Sequence, residues 1–243
     1  DLINSAIAGK YLKLRLYYIG LLIDEWINYN LPSKGDGWHS YTISLRCRNW
    51  VWIFRCMPEL ATSKRIESLW EQYQWLYLNT ELANGGNHLI ENLVSLLIIS
   101  LQFENEKSRE IYNWSIKKLR LELIEQILDD GGHFERSAAY HFLILDRLLE
   151  LACVIEIIKS KRLRWLELYI YRMTRWSINV SANNKILPPF NDSANDICPE
   201  IENVLNFAEC FLYGKFYKYN DIRKLLLKHI DINSKNFKFK KIN

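Results

Sequence analysis

The chain has 243 residues, 49% hydrophobic and 25% charged, a balance that suits a globular protein with a sizeable core. Its 32 Lys and Arg against 28 Asp and Glu leave a net charge of +4, and the two signs are interleaved, as in Lys117-Lys118-Leu119-Arg120-Leu121-Glu122; no phosphate-tracking stripe exists, which argues against a nucleic-acid partner. No apolar run reaches the roughly eighteen residues of a membrane span, and five widely spaced cysteines without a CxxC pair suggest neither a disulfide framework nor a zinc cluster.

The chain opens on Asp1 rather than Met, as a processed chain or a piece of a longer one would. Tyr17 to Ile23 runs straight into Asp24 and Glu25 within a helical pattern, which sets it apart from a signal peptide. Apolar residues recur at helical spacing over roughly 8–30, 40–57, 62–82, 87–103, 106–128, 137–159, 161–181 and 199–213. Breakers fall between them at Pro32 to Gly37, Pro58, Asn84-Gly85-Gly86 and Gly131-Gly132, and Ser40 and Thr62 are suited to N-caps. Helices of about twenty residues with short connections imply antiparallel hairpins in an all-α protein. An α/α ring, closed or partly closed, and an open solenoid both fit, and the absence of a strict repeat weighs against the solenoid. Strand signals stay weak until Asn236 to Lys240, where apolar and polar residues alternate.

Polar residues interrupt this apolar pattern in four places. In Trp38-His39-Ser40-Tyr41-Thr42-Ile43-Ser44-Leu45-Arg46, continuing to Arg48, Asn49 and Trp50, aromatic and polar residues share helical faces. Arg46 and Asn49 share a face with Trp50 close by, a candidate sugar-contacting strip, and Trp38 is a further candidate for substrate contact, with plain packing as the alternative. In Gly85-Gly86-Asn87-His88-Leu89-Ile90-Glu91-Asn92, the polar side chains lie three and four apart along one helix end, where an anion is favoured. The alternative there is an Asn N-cap with a solvated first turn. In Asp129-Asp130-Gly131-Gly132-His133-Phe134-Glu135-Arg136-Ser137-Ala138-Ala139-Tyr140-His141, helical spacing puts Arg136 with Tyr140 and Ser137 with His141. Such polar density before an apolar helix is costly if buried without purpose, a capping network being the other reading. Last, the connection from Ser181 to Asn195 carries Pro188-Pro189 and a polar end, Asn191-Asp192-Ser193, that can approach a ligand or simply cross the surface.

No GxSxG, Walker A, GxGxxG, HExxH or EF-hand pattern occurs. His88-x-x-Glu91 offers two metal ligands but no third at helical spacing, so neither a metal nor a cofactor is expected. Nine Trp and fourteen Tyr suit stacking on sugar faces, and equally the seams of a helical protein.

Three of these stretches, in order, resemble the heparinase II/III-like polysaccharide lyases: Trp38 to Arg46, Gly86 to Asn92 and Asp130 to His141, with Pro189-Phe190-Asn191-Asp192-Ser193 similar to a loop of that family's helical domain. The resemblance implies an incomplete α/α toroid over residues 1–213, with 214–243 a tail or the start of a linker. It also implies an extracytoplasmic setting such as a periplasm, and an acidic, uronic-acid-containing polysaccharide or oligosaccharide as substrate. In the family a β-sandwich follows the toroid and supplies a second catalytic residue, usually a His. The roughly thirty residues after Tyr213 are fewer than a sandwich of about 100 residues needs. A missing or separate β-sandwich domain is therefore an expected partner.

The reaction so implied is β-elimination at a uronic acid. The C5 proton is poorly acidic while the neighbouring carboxylate is negative, so donors must neutralise that charge as it spreads. By resemblance Asn87 and His88 take this role and Tyr140 is the acid, the base or both. A free phenol titrates near 10, and Arg136, one turn earlier, is the cation expected to lower it. Glu91 and His141 are expected to support the site or touch substrate, and Asn191 to reach it from its loop. A glycoside hydrolase would instead need two flanking carboxylic acids, for which Asp129, Asp130 and Glu91 are the candidates. A non-catalytic helical module binding acidic glycans or a partner protein is the third reading.

Overall fold

In the computed structural model, residues 12–83, 85–181, 187–194 and 197–214 are described. The eight expected helices are all present: α1 Leu12–Tyr29, α2 Ser40–Cys56, α3 Ser63–Leu78, α4 Gly86–Ser100, α5 Glu106–Gln126, α6 Ala138–Lys159, α7 Arg164–Val180 and α8 Ile201–Tyr213. No strand occurs among the described residues; Ile127 and His133 form an isolated antiparallel bridge. The alternation at Asn236 to Lys240 lies outside the described residues.

The helices form two layers. The even-numbered helices pack side by side in the order α2, α4, α6, α8; α1 rests on α3, and α3, α5 and α7 cover the even-numbered row from outside. This is the all-α, toroid-like arrangement of hairpins. The sequence sets the layer of each helix. In α4 every residue from Leu89 to Ser100 is buried, and a helix apolar all round can only be central. In α5 the buried positions are Ser108, Ile111, Ser115, Leu119, Glu122, Leu123 and Gln126, one stripe at helical spacing, so the opposite face meets solvent. Leu166, Ile170, Met173, Thr174 and Ser177 make the corresponding stripe of α7.

Several helix starts differ from expectation because their partners come from elsewhere in the chain. His39, not Ser40, occupies the N-cap of α2, and the Ser40 hydroxyl donates to the Asn79 carbonyl at 2.5 Å. Thr62 holds the cap position of α3 without a side-chain bond. Asn105 and Ser108 form a reciprocal capping box at α5 that the pattern did not announce. The Gly131-Gly132 turn is required by close approach: a Cβ on Gly131 would stand 2.3 Å from the Arg172 carbonyl oxygen, and one on Gly132 2.7 Å from the Trp176 indole nitrogen. The turn thereby presses against α7 and feeds α6 back into the inner layer. No described helix is long and apolar enough to cross a membrane.

Candidate active site at the inner-helix N-termini

Contacts between the inner helices run in register, so their N-terminal ends gather at one end of the layer. Ser44 of α2 accepts from the Asn92 side chain of α4 at 3.1 Å, and Asn87 of α4 meets Glu135, which precedes α6. The helix dipoles of α2, α4 and α6 therefore point the same way, a setting that favours an anion, and the first-turn N–H groups of Asn87, Ala139 and Tyr140 are met by Glu135, Ser193 and Ser137. Around this end stand Tyr41, Asn87, His88 and Tyr140, each in the first turn of its helix. The Tyr41 ring stacks on His88, centroids 4.1 Å apart and planes at 20°, and burial, then Glu91, push its phenol above the ordinary value, with Tyr140 near enough to add to the shift. Tyr140 in turn lies within the field of Glu135 and Asp192.

Glu135 closes the circle. Its carboxylate accepts from the Asn87 backbone N–H at 2.7 Å and from Asn87 Nδ2 at 3.2 and 3.1 Å. It thus caps α4 in place of a local side chain. The seat exists because residue 86 is glycine: a Cβ there would lie 2.5 Å from Glu135 Oε1, and the backbone has φ +64°, a conformation glycine adopts at little cost.

Beneath Tyr41 lies a buried ion network linking α2, α4 and α6. Arg48 donates to Glu91 at 3.2 Å and Glu150 at 2.6 Å; Arg147 donates to Glu91 at 2.8 Å, Asp146 at 2.9 Å and Glu150 at 3.3 Å. The Trp52 indole also donates to Glu150. Burial alone would raise the Glu91 carboxyl, but the Arg48 and Arg147 guanidiniums outweigh it and hold the group below its ordinary range.

Each residue singled out from sequence has a definite place. Asn87, His88 and Tyr140 come together at the helix ends. Glu91, 1% exposed, is sealed in the ion network, and His141, 0% exposed, lies against Trp176 with its Nε2 donating toward the Met173 carbonyl and Ser177; of the two roles expected for them, this geometry leaves support. Trp38 is buried against Trp26 and Trp75, and Arg46 donates to Gln72 with its guanidinium 3.7 Å over the Trp26 ring, so this pair takes the packing alternative. Arg136 is exposed but precedes α6, with φ 56°, and so does not stack one turn below Tyr140. The Tyr140 phenol is consequently not lowered: partial burial, then Asp192 and Glu135, push it above its ordinary value. Asn191 uses its side chain to clamp its own loop, donating to the carbonyls of Glu135 at 3.0 Å and Arg136 at 3.2 Å, and Ser193 adds a cap at Ala139 N.

Sequence reasoning passed over Tyr41, Glu81 and Glu135 as site residues, and offered Asp192 only within a loop end able to approach a ligand. Tyr41, Glu135 and Asp192 lay inside the quoted stretches, and Glu81 had no signal beyond its place before the double glycine. Among the described residues no group of three or more His, Cys, Asp or Glu is disposed to hold a metal.

Comparison with known proteins fits this architecture. The family model described as Heparinase II/III N-terminus matches residues 23–219. A crystal structure of heparinase III superposes with a TM-score of 0.68 at 18% identity, covering 84% of this chain and 34% of that one, a likeness of fold. This chain therefore spans about a third of that protein's length. A search of curated proteins found no match. The family model covers most of the chain, and the chain belongs to the heparinase II/III family through its N-terminal helical domain.

Proposed function

We propose that this chain is the helical part of a polysaccharide lyase that cleaves uronic-acid-containing acidic polysaccharides by β-elimination, acting with a β-sandwich domain in an extracytoplasmic setting. One observation carries the reading: the first turns of α2, α4 and α6 bring Tyr41, Asn87, His88 and Tyr140 together where three helix N-termini converge. The Asn87 backbone N–H and side-chain amide hold the Glu135 carboxylate, so a uronate takes its place there by exchanging one carboxylate for another. In the reaction, donors at the α4 terminus take up charge as the C5–H bond breaks. The electron pair forms the C4–C5 double bond, the C4–O4 bond breaks, and O4 leaves with a proton. Tyr140, whose phenol is pushed up and so stays protonated at neutral pH, gives that proton to the departing oxygen. The C5 proton goes to a neighbouring base and from there to water, while Tyr140 is reprotonated, so the cycle balances.

The hydrolase reading loses support, because Glu91 is spent on two arginines and Asp129 is fully solvated beside Arg172. The test is to incubate the whole chain its gene encodes with a panel of uronic-acid polysaccharides. Ultraviolet absorbance from unsaturated uronyl ends is expected, with at least about 10²-fold loss in Tyr140→Phe. Saturated ends would point to a hydrolase, binding without turnover to a non-catalytic module, and an unaffected Tyr140→Phe rate would remove Tyr140 from the mechanism.

A further inference from the structure

Glu81 sits in the connection before α4, its side chain only 8% exposed, and its side-chain hydrogen bonds go to His88 and Asn92 of that helix. Its backbone N–H donates to Asn92 Oδ1 at 3.0 Å, and Asn92 Nδ2 donates back to Glu81 Oε2 at 3.2 Å. Asn92 is itself fully buried and anchored on Ser44. With one carboxylate oxygen so fixed, the other, Oε1, faces His88 Nδ1 at 3.2 Å. A carboxylate accepts and does not donate, so the contact is made only when Nδ1 carries the proton. The opposite face of the imidazole is pinned by the Tyr41 ring, which leaves it little freedom to turn over. No described residue hydrogen-bonds Nε2, and the side chain is 44% exposed.

We infer that Glu81 is a positioning residue that locks His88 in the Nδ1–H tautomer, so that Nε2 presents a lone pair, a proton acceptor, to the cleft. This rests on the lyase reading for its purpose but not for its geometry. It changes the part His88 plays: a neutral ring held this way cannot donate to a uronate carboxylate through Nε2. It can accept the C5 proton while Tyr140 supplies one to the leaving oxygen. The base left unnamed above is then His88, and the imidazolium formed would be stabilised by the carboxylate behind it. The charged or titratable neighbours are His39, whose Nε2 stands 3.8 Å from Glu81 Oε1 and which is 57% exposed, Tyr41, and behind Tyr41 the Glu91–Arg147 pair.

The ring-nitrogen NMR shifts of the 15N-labelled chain, recorded where imidazoles are neutral, read the tautomer directly; His88→Gln identifies the signals by their loss. The expected result is a protonated Nδ1 and an unprotonated Nε2 in the wild type. In Glu81→Ala the ring should revert to the Nε2–H form that free imidazoles favour. A loosened fold alone would not swap the proton between nitrogens. An Nε2–H tautomer in the wild type overturns the inference, even if Glu81→Ala does not fold, and so does an unchanged tautomer in a folded Glu81→Ala. The readout separates the two claims. The expected tautomer without any elimination removes the lyase reading alone, and elimination with the wrong tautomer removes this one alone.

Discussion

Arg48→Met is expected to lower the free energy of unfolding by about 3–5 kcal/mol, as removal of one member of a buried ion network does. The wild-type network sets two guanidiniums, Arg48 and Arg147, among three carboxylates, Glu91, Glu150 and Asp146, all away from water. Methionine replaces the aliphatic stem but leaves the three acids facing Arg147 alone, and Arg48 is the residue that ties α2 to both α4 and α6. For a chain of this size the loss corresponds to a fall in Tm of roughly 6–20 °C. A packing defect would cost the same at every pH. The electrostatic account predicts instead that the deficit shrinks in acid, because the stranded carboxyls can take up protons. Thermal melts of wild type and Arg48→Met across pH decide this, and a constant deficit would contradict the electrostatic origin.

Acid itself should destabilise the wild type well before its carboxylates titrate. Burial pushes both His133 and His141 down to about 3, His141 being opposed by its bond to the Met173 carbonyl and depressed further by His133. Each donates from Nε2, to Gln126 and toward Met173, while Nδ1 of each is buried without a partner among the described residues, so a second proton there has nothing to meet it. The sign follows from linkage. Above an unfolded value of about 6.5 neither state binds the extra proton and stability is whole; below it the unfolded chain binds protons that the folded chain refuses. The loss grows by up to roughly 1.4 kcal/mol per pH unit for each histidine. It continues as pH falls toward about 3. Between pH 7 and pH 5 the pair accounts for roughly 4 kcal/mol, a large part of an ordinary folding free energy. Glu91 and Asp24, both held below their ordinary values of 4.5 and 3.8, keep their contributions through this window and lose them only in stronger acid. Denaturant titrations from pH 7 to 5 should show the slope, and His141→Gln should roughly halve it. A flat profile would mean that these rings are hydrated or paired.

The helices were legible because burial of one stripe or of a whole helix leaves a direct mark on apolar spacing, and α4 and α5 show both extremes. Their ends were less so. The cap of α4 is a carboxylate from Glu135, forty-eight residues away, which no local pattern announces. The same limit explains the site. Helical spacing told which residues share a face, and Asn87, His88 and Tyr140 do lie at one end of the inner layer. It could not tell whether a face looks into the cleft or into the next helix, which is why Glu91 and His141 proved to be interior. Arg136 was misplaced for a different reason: the double-glycine turn runs on past it with a left-handed residue, so helical counting begins only at Ala138.

On the function proposed above, an acidic sugar sits on the gathered N-termini of α2, α4 and α6. Backbone amide shift mapping of the labelled chain, titrated with a uronic-acid oligosaccharide, tests it most directly. The account predicts perturbations centred on Tyr41, Gly86 to His88, Glu135 and Tyr140, and at least about tenfold weaker binding in Asn87→Ala, the size of one lost bond to a charged group. Perturbations confined to other surfaces, or an affinity indifferent to Asn87, would contradict it.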